Sequence, residues 1–172
     1  MFFHIVNKRG VKMGVESYLD EKDFAKKLIV DNKYMVVATS NPESKPWAAP
    51  VLYVYDESYA FYFLSAIDSL HAKNILGNPQ VCLSIFNSEQ PIGKSDGIQI
   101  EALAHVVDKT AIEGVINIYC RKLFPESNVP PLKRYRPEDY LEPSEFRFFV
   151  VKPTKVYVTD GLERRVEVDL SE

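Results

Sequence analysis

Metal and disulfide chemistry have little to work with in this chain. Its 172 residues include two cysteines and three histidines. Cys82 and Cys120 each sit among apolar residues with no second ligand at metal spacing, so both read as reduced thiols packing like small apolar side chains. His4, His71 and His105 lack the spacing of a zinc site. Positive charge is also short: 21 Lys and Arg against 24 Asp and Glu leave a formal net charge of -3. Nucleic-acid binding calls for a basic surplus or stripe. The one basic run, Lys133-Arg134-Tyr135-Arg136, supplies neither. No apolar run is long enough to cross a bilayer, and the residues after Met1 lack a signal-peptide core. The cytoplasm is the expected location, with no nucleic-acid or membrane partner. Glycine is sparse, at seven residues, and no glycine-rich phosphate loop or Gly-x-Ser-x-Gly elbow occurs. Gly93-Lys94-Ser95 has the tail of a nucleotide loop without its head.

Core-forming residues, by contrast, are plentiful. Hydrophobic residues make up 46% of the chain and aromatic residues 12%, enough for one packed domain. Residues 18–172 read as that domain. Residues 1–17 read as an extension without clear pattern, in which Met13 is a candidate start codon.

Tyr18 to Asp31 has helical spacing, with Phe24, Ala25, Leu28 and Ile29 on one face and acidic residues early. Strands are expected at Tyr34–Thr39, Trp47–Tyr55, Tyr59–Leu64, Gln80–Phe86 and Gly97–Val107, joined by short turns in meander order. The clearest is Gly97–Val107, where Ile98, Ile100, Ala102, Ala104 and Val106 share one face. Thr110-Ala111-Ile112-Glu113 has capping-box spacing before a helix carrying Ile112, Ile116, Tyr119 and Leu123. Pro125 to Pro143 reads as a loop too polar and broken for the core. Phe146–Val158 reads as a last long strand, with Pro153 marking an edge or bulge, and residues 161–172 as a short hairpin arm. The expected fold is mainly β with flanking helices, a small closed or split barrel.

The stretch Leu64-Ser65-Ala66-Ile67-Asp68-Ser69-Leu70-His71-Ala72-Lys73-Asn74 joins a strand end to a helix start. Asp68 or Ser69 suits the N-cap, and Gly77-Asn78-Pro79 the stop. Hydroxyls, an imidazole, a lysine and a helix N-terminus together can hold a phosphate. Plain capping accounts for Ser65, Asp68 and Ser69 equally well, and a solvated helix face for His71 and Lys73. Gln99 stands out because an amide in an apolar strand needs a partner if buried. Trp47 suits a core or an interface between copies.

Four segments in order resemble the pyridoxamine 5'-phosphate oxidase-like FMN-binding split barrels: Trp47-Ala48-Ala49-Pro50-Val51-Leu52-Tyr53, then Phe61-Tyr62-Phe63, then Ser69 to Pro79, then Gly97 to Ala104. The resemblance implies a homodimer with FMN in a groove between subunits and the flavin phosphate in the strand–turn–helix segment. It makes Ser65, Ser69, His71 and Lys73 the expected phosphate ligands. Pro50, Val51 and Tyr62 are the expected wall for the ring, and Gln99 the amide facing its polar edge. Oxidases of the family carry basic residues where Ala48 and Tyr53 fall, an arginine at Leu70 and a lysine at His71. Near the C-terminus they carry a tryptophan followed by basic residues, where this chain has Phe149-Val150-Val151-Lys152-Pro153-Thr154-Lys155. The pattern is closer to an uncharacterised bacterial branch with Trp-Ala-x-x-x-x-Tyr on the strand and a histidine in the turn. The expected function is an FMN-dependent oxidoreductase acting on a small molecule other than pyridoxamine phosphate. The competing expectation is a flavin- or haem-related binding protein without turnover, or a stress-associated dimer.

Overall fold

A computed structural model describes residues 20–89, 97–159 and 164–171. The N-terminal extension, with His4 and Met13, and Gly93-Lys94-Ser95 lie outside the described residues. The chain runs through α1 (Glu21–Asp31), β1 (Tyr34–Ser40), β2 (Pro46–Leu52), β3 (Val54–Tyr55), β4 (Phe61–Ala66), α2 (Leu70–Gly77), β5 (Gln80–Phe86) and β6 (Gly97–Val106). It continues through α3 (Ile112–Leu123), a single turn α4 (Pro131–Arg134), a 3-10 turn (Pro137–Tyr140), β7 (Phe146–Thr159) and β8 (Arg165–Val168).

The strands form one eight-stranded sheet in the order β2-β1-β5-β6-β7-β4-β3, with β8 added to β7. All pairings are antiparallel. The two ends of that order, β2 and β3, are halves of one extended segment broken at Tyr53, so the sheet closes on itself. Tyr53 is buried at the break. Its N–H donates to the Lys33 carbonyl at 3.0 Å and its hydroxyl to the Ile29 carbonyl at 2.7 Å. That second bond satisfies one of the carbonyls left open at the end of α1, and Asn32 Nδ2 satisfies the Leu28 carbonyl at 2.8 Å.

Closure is incomplete. β3 pairs only Val54 and Tyr55 with Tyr62 and Phe61, so Phe63–Ala66 of β4 and all of β2 face one another without a shared ladder. The barrel is therefore split, and α2 packs at the opening against β1 and β2. Ala72 and Ile75 enter the core there, and buried Asn74 donates to Thr39 Oγ1 at 3.0 Å.

Alternation decides which side chains fill the interior. Ile98, Ile100, Ala102 and Ala104 point in, while Gln99, Glu101, Leu103 and His105 point out. Phe63 and Phe149 stack inside with centroids 5.0 Å apart. A second apolar cluster lies across the sheet, where Ile112, Val115, Ile116, Tyr119 and Cys120 of α3 pack on Val54, Val107 and Phe148.

Several local expectations need correction. The order is not a simple meander: α2 carries the chain away from β4, so β4 pairs with β7 rather than β5. The capping box does not form. Thr110 donates both its N–H and its hydroxyl to Asp108 Oδ1, at 2.8 and 2.6 Å, and the helix starts after Ala111 without a side-chain cap. The carboxylate two residues upstream outcompetes the box. Gly77 is the last helical residue of α2, with Asn78 as the extended C-cap. Segment 125–143 is not peripheral to packing, because Leu132, Tyr135, Tyr140 and Leu141 rest on the α3 cluster. β7 is no edge strand. Pro153 sits at a register shift, Glu101 pairing with Lys155 and Ala102 with Pro153, and Thr154 Oγ1 donates across to the Glu101 carbonyl at 2.9 Å. The expected arm is β8, which pairs with the end of β7. Among the described residues no helix is long and apolar enough to cross a membrane.

Candidate functional site

The split ends at the turn between β4 and α2. Ser69 is in the extended region, with φ −61° and ψ 153°, and its hydroxyl accepts the Ala72 N–H at 3.4 Å, a long N-cap bond. The N–H groups of Leu70 and His71, at the first two helical positions, have no carbonyl within the helix to donate to. Ser65, near the end of β4, places its hydroxyl 3.2 Å from Ser69 Oγ and 2.7 Å from His71 Nε2. Ser69 Oγ is 3.3 Å from the same nitrogen. Two hydroxyls, one imidazole and two open amides thus converge at a helix start.

Burial holds the His71 imidazole below its ordinary pKa of 6.5, so the ring is neutral at pH 7. Phe63, with its centroid 6.1 Å from the imidazole, is part of that surrounding. A neutral imidazole either accepts at Nε2 from the Ser65 hydroxyl or donates to it, and the hydroxyls can turn either way. This plasticity suits an anion that arrives with its own acceptor oxygens. These hydroxyl and amide donors could serve a phosphate, whose charge the helix dipole would favour.

The other expected residues lie elsewhere. Lys73 is exposed farther along α2. Val51 is buried in the barrel core. Tyr62 lies on the α3 side of the sheet, its hydroxyl donating to Asp56 Oδ2 at 2.8 Å. Burial first, then that hydrogen bond and the Asp56 charge, push the Tyr62 phenol up to about 12. Asp56 itself also accepts from Ser58 and from the Ala60 amide. These bonds outweigh its own desolvation and hold the carboxyl below the usual range. Pro50 and Gln99 share one transverse row on the outer sheet face, in the register Pro50–Val36–Ser84–Gln99. Gln99 is exposed, so burial makes no demand on its amide. Within one chain, then, the turn residues Ser65, Ser69 and His71 come together, and Pro50 and Gln99 share a separate face.

The positions where oxidases of the resembled family carry cations are also defined. Tyr53 is buried and its hydroxyl is used within the fold. Ala48 is exposed on the outer sheet face, and Leu70 is 47% exposed at the helix start. One further cation, which no sequence motif singles out, is Arg147, whose Cα is the cross-strand partner of Ser65. It is 6% exposed. Its signal was a lone charge in the run Phe146-Arg147-Phe148-Phe149.

Comparison with known proteins gives the fold a family. No curated protein matches the chain in sequence. Among solved structures, a heme-binding protein from Mycobacterium smegmatis superposes with a TM-score of 0.67 at 17% identity, covering 89% of this chain and 59% of that longer one. HutZ, the heme storage protein of Vibrio cholerae, gives 0.62 at 18% identity over 81% of this chain and 95% of its own. General Stress Protein 26 from Bacillus anthracis gives 0.58 at 22% identity over 87% of this chain and 100% of its own. At these identities the likeness is one of fold. The family model for pyridoxamine 5'-phosphate oxidase matches residues 22–160, spanning the barrel, α2 and α3. With its split barrel and that match, the chain belongs to the pyridoxamine 5'-phosphate oxidase family.

Proposed function

We propose that this protein binds FMN, with the flavin phosphate in the turn formed by Ser65, Ser69 and His71, and acts as an FMN-dependent oxidoreductase on a small molecule. The observation that carries the reading is the convergence of Ser65 Oγ, Ser69 Oγ and His71 Nε2 within 3.3 Å of one another at the start of α2. The hydroxyls donate to phosphate oxygens, the open amides of Leu70 and His71 add two further donors, and the helix dipole favours the negative charge. Bound FMN supplies the redox chemistry, and the protein supplies orientation and electrostatics.

The namesake reaction is not proposed. Ala48, Tyr53 and Leu70 supply no charge where the oxidases carry one, and His71 is held neutral by burial. FMN affinity is accordingly expected to be lower than in those enzymes.

The ring site is proposed to be completed by a second copy. The outer face of β1, β2, β5 and β6 presents Tyr34, Pro50 and Phe86 around the small residues Ala38, Ala48, Cys82 and Ser84. Such a largely apolar face suits packing against itself. It also carries Pro50 and Gln99, which would bring these two residues to the groove between subunits.

The second reading, haem binding without turnover, is favoured by the M. smegmatis and V. cholerae structures, whose names record heme. One experiment separates the two. Purified protein is incubated with FMN and, in a parallel sample, with hemin, desalted, and its visible spectrum recorded. Retained flavin bands, released on denaturation, support the first reading. Loss of all flavin on desalting, together with no saturable FMN quenching, overturns it. A Soret band retained without flavin moves the assignment to haem.

A further inference from the structure

Residues 132–142 border an open cavity of about 860 Å³ against the ends of β6 and β7 and the first turn of α3. Val107, Leu132 and Leu141 supply apolar wall, and Arg147 lies in its lining. Lys109, Glu113, Glu138 and Glu142 also line it, and all four are exposed, where solvent screens their charge. Arg147 is different, at 6% exposed.

A guanidinium is always charged and has five N–H donors. The bonds Arg147 makes use Nη1 alone, to the carbonyls of Ser144 and, at 2.8 Å, of Phe146. Among the described residues no carboxylate lies within 4.0 Å of it. Burial of an unpaired cation costs several kcal/mol, about the scale of a whole domain's margin of stability. No side-chain nitrogen of the described residues is sealed from solvent without a hydrogen bond. Nε and Nη2 of Arg147 are therefore not sealed in packed protein, and Arg147 is part of this cavity's lining.

We propose that this cavity is a second ligand site, separate from the flavin turn, which takes a small organic monocarboxylate with an apolar body. One buried positive charge asks for one negative charge. The planar fork of Nε and Nη2 matches the two oxygens of a carboxylate. The apolar wall of Val107, Leu132 and Leu141 takes the remainder of the ligand, and the volume lies within the usual range for small-molecule sites. The proposal does not rest on FMN binding: none of the cavity's lining residues belongs to the Ser65–His71 turn, and Arg147, the cross-strand partner of Ser65, is the lining residue that adjoins it.

The test uses phenylacetate and its neutral isostere phenylacetamide, titrated into the full-length protein and followed by calorimetry and by the Arg147 Nε–H signal in NMR. Saturable phenylacetate binding that shifts this signal, at least tenfold tighter than the amide, is expected. Arg147→Met should keep the fold and abolish carboxylate binding. If Arg147→Met does not fold, Leu141→Trp tests the same site by filling the wall, and should abolish phenylacetate binding with FMN titration unchanged. The proposal is overturned by the absence of saturable phenylacetate binding, by equal affinity for the amide, or by binding that survives both Leu141→Trp and, where it folds, Arg147→Met.

Discussion

Ser69→Asp separates the two duties of the residue that starts α2. Ser69 caps the helix through the Ala72 amide, and its hydroxyl also stands within the proposed phosphate cluster. Serine and aspartate are nearly equal as N-caps, and a carboxylate at a helix N-terminus gains roughly 0.3–1 kcal/mol from the dipole. The variant should therefore match or slightly exceed the wild type in stability. The phosphate, however, would meet a fixed anion. Two unit charges about 4 Å apart at an effective dielectric near 20 repel by about 4 kcal/mol. FMN affinity should fall by about a thousandfold or more, since each 1.4 kcal/mol is tenfold. Riboflavin, which has the ring without the phosphate, is the control and should bind both proteins alike. Urea unfolding gives the stability, and fluorescence titration with both flavins gives the affinities. Unchanged FMN affinity in Ser69→Asp, or an equal loss for riboflavin, would remove the phosphate from this turn.

Three further outcomes are expected. His71 titrates below 6.5 in the folded chain, so the unfolded chain takes the proton first. Stability contributed by the neutral ring is complete above pH 6.5 and is lost as pH falls toward the depressed folded value. Urea midpoints across that window should therefore fall more steeply for the wild type than for His71→Asn, and parallel slopes refute the assignment. Tyr53→Phe removes the buried bond to the Ile29 carbonyl and should cost about 1–2 kcal/mol. That is a fall in Tm of several degrees for a chain of this length, with FMN affinity unchanged; a loss of FMN affinity instead would make Tyr53 a ligand. Cys82→Arg, on the outer sheet face opposite Glu101, should leave the monomer folded but shift a dimer to a monomer in light scattering. A protein that is monomeric before the substitution rules out that face as its partner surface.

Legibility in the sequence tracked the range of the interaction. β6 could be read because its alternation is local and both of its faces have different neighbours. Ser69 could be read as a cap for the same reason, since a helix start is decided within a few residues. The Ser65–His71 contact was within reach because the intervening residues form one turn. Closure of the barrel was not, because it depends on Tyr53 finding Ile29 and Lys33 in another element. The packing of the segment over α3 is not legible because its composition is polar and proline-rich, while Leu132, Tyr135, Tyr140 and Leu141 are spaced to no regular period. Arg147 is not legible either, since a charge within a strand pattern has the signature of an outward residue until its strand is placed between two others.

The strand that closes the barrel also keeps it from closing fully. Along β2, Pro46 and Pro50 alternate with Ala48 and Leu52, so these residues direct their backbone nitrogens to the same side. Proline is accepted in a paired strand where that side faces away from the partner. Here β1 is the partner, and the outward side is the split. The border of the opening has thus lost donors that another β-strand would need in order to zip onto it. An edge of this kind discourages strand addition from a neighbouring molecule, and it equally prevents β4 from sealing the gap by sliding across. The chemistry of its rim thus works together with α2, which packs in the opening, to keep the cleft from zipping shut.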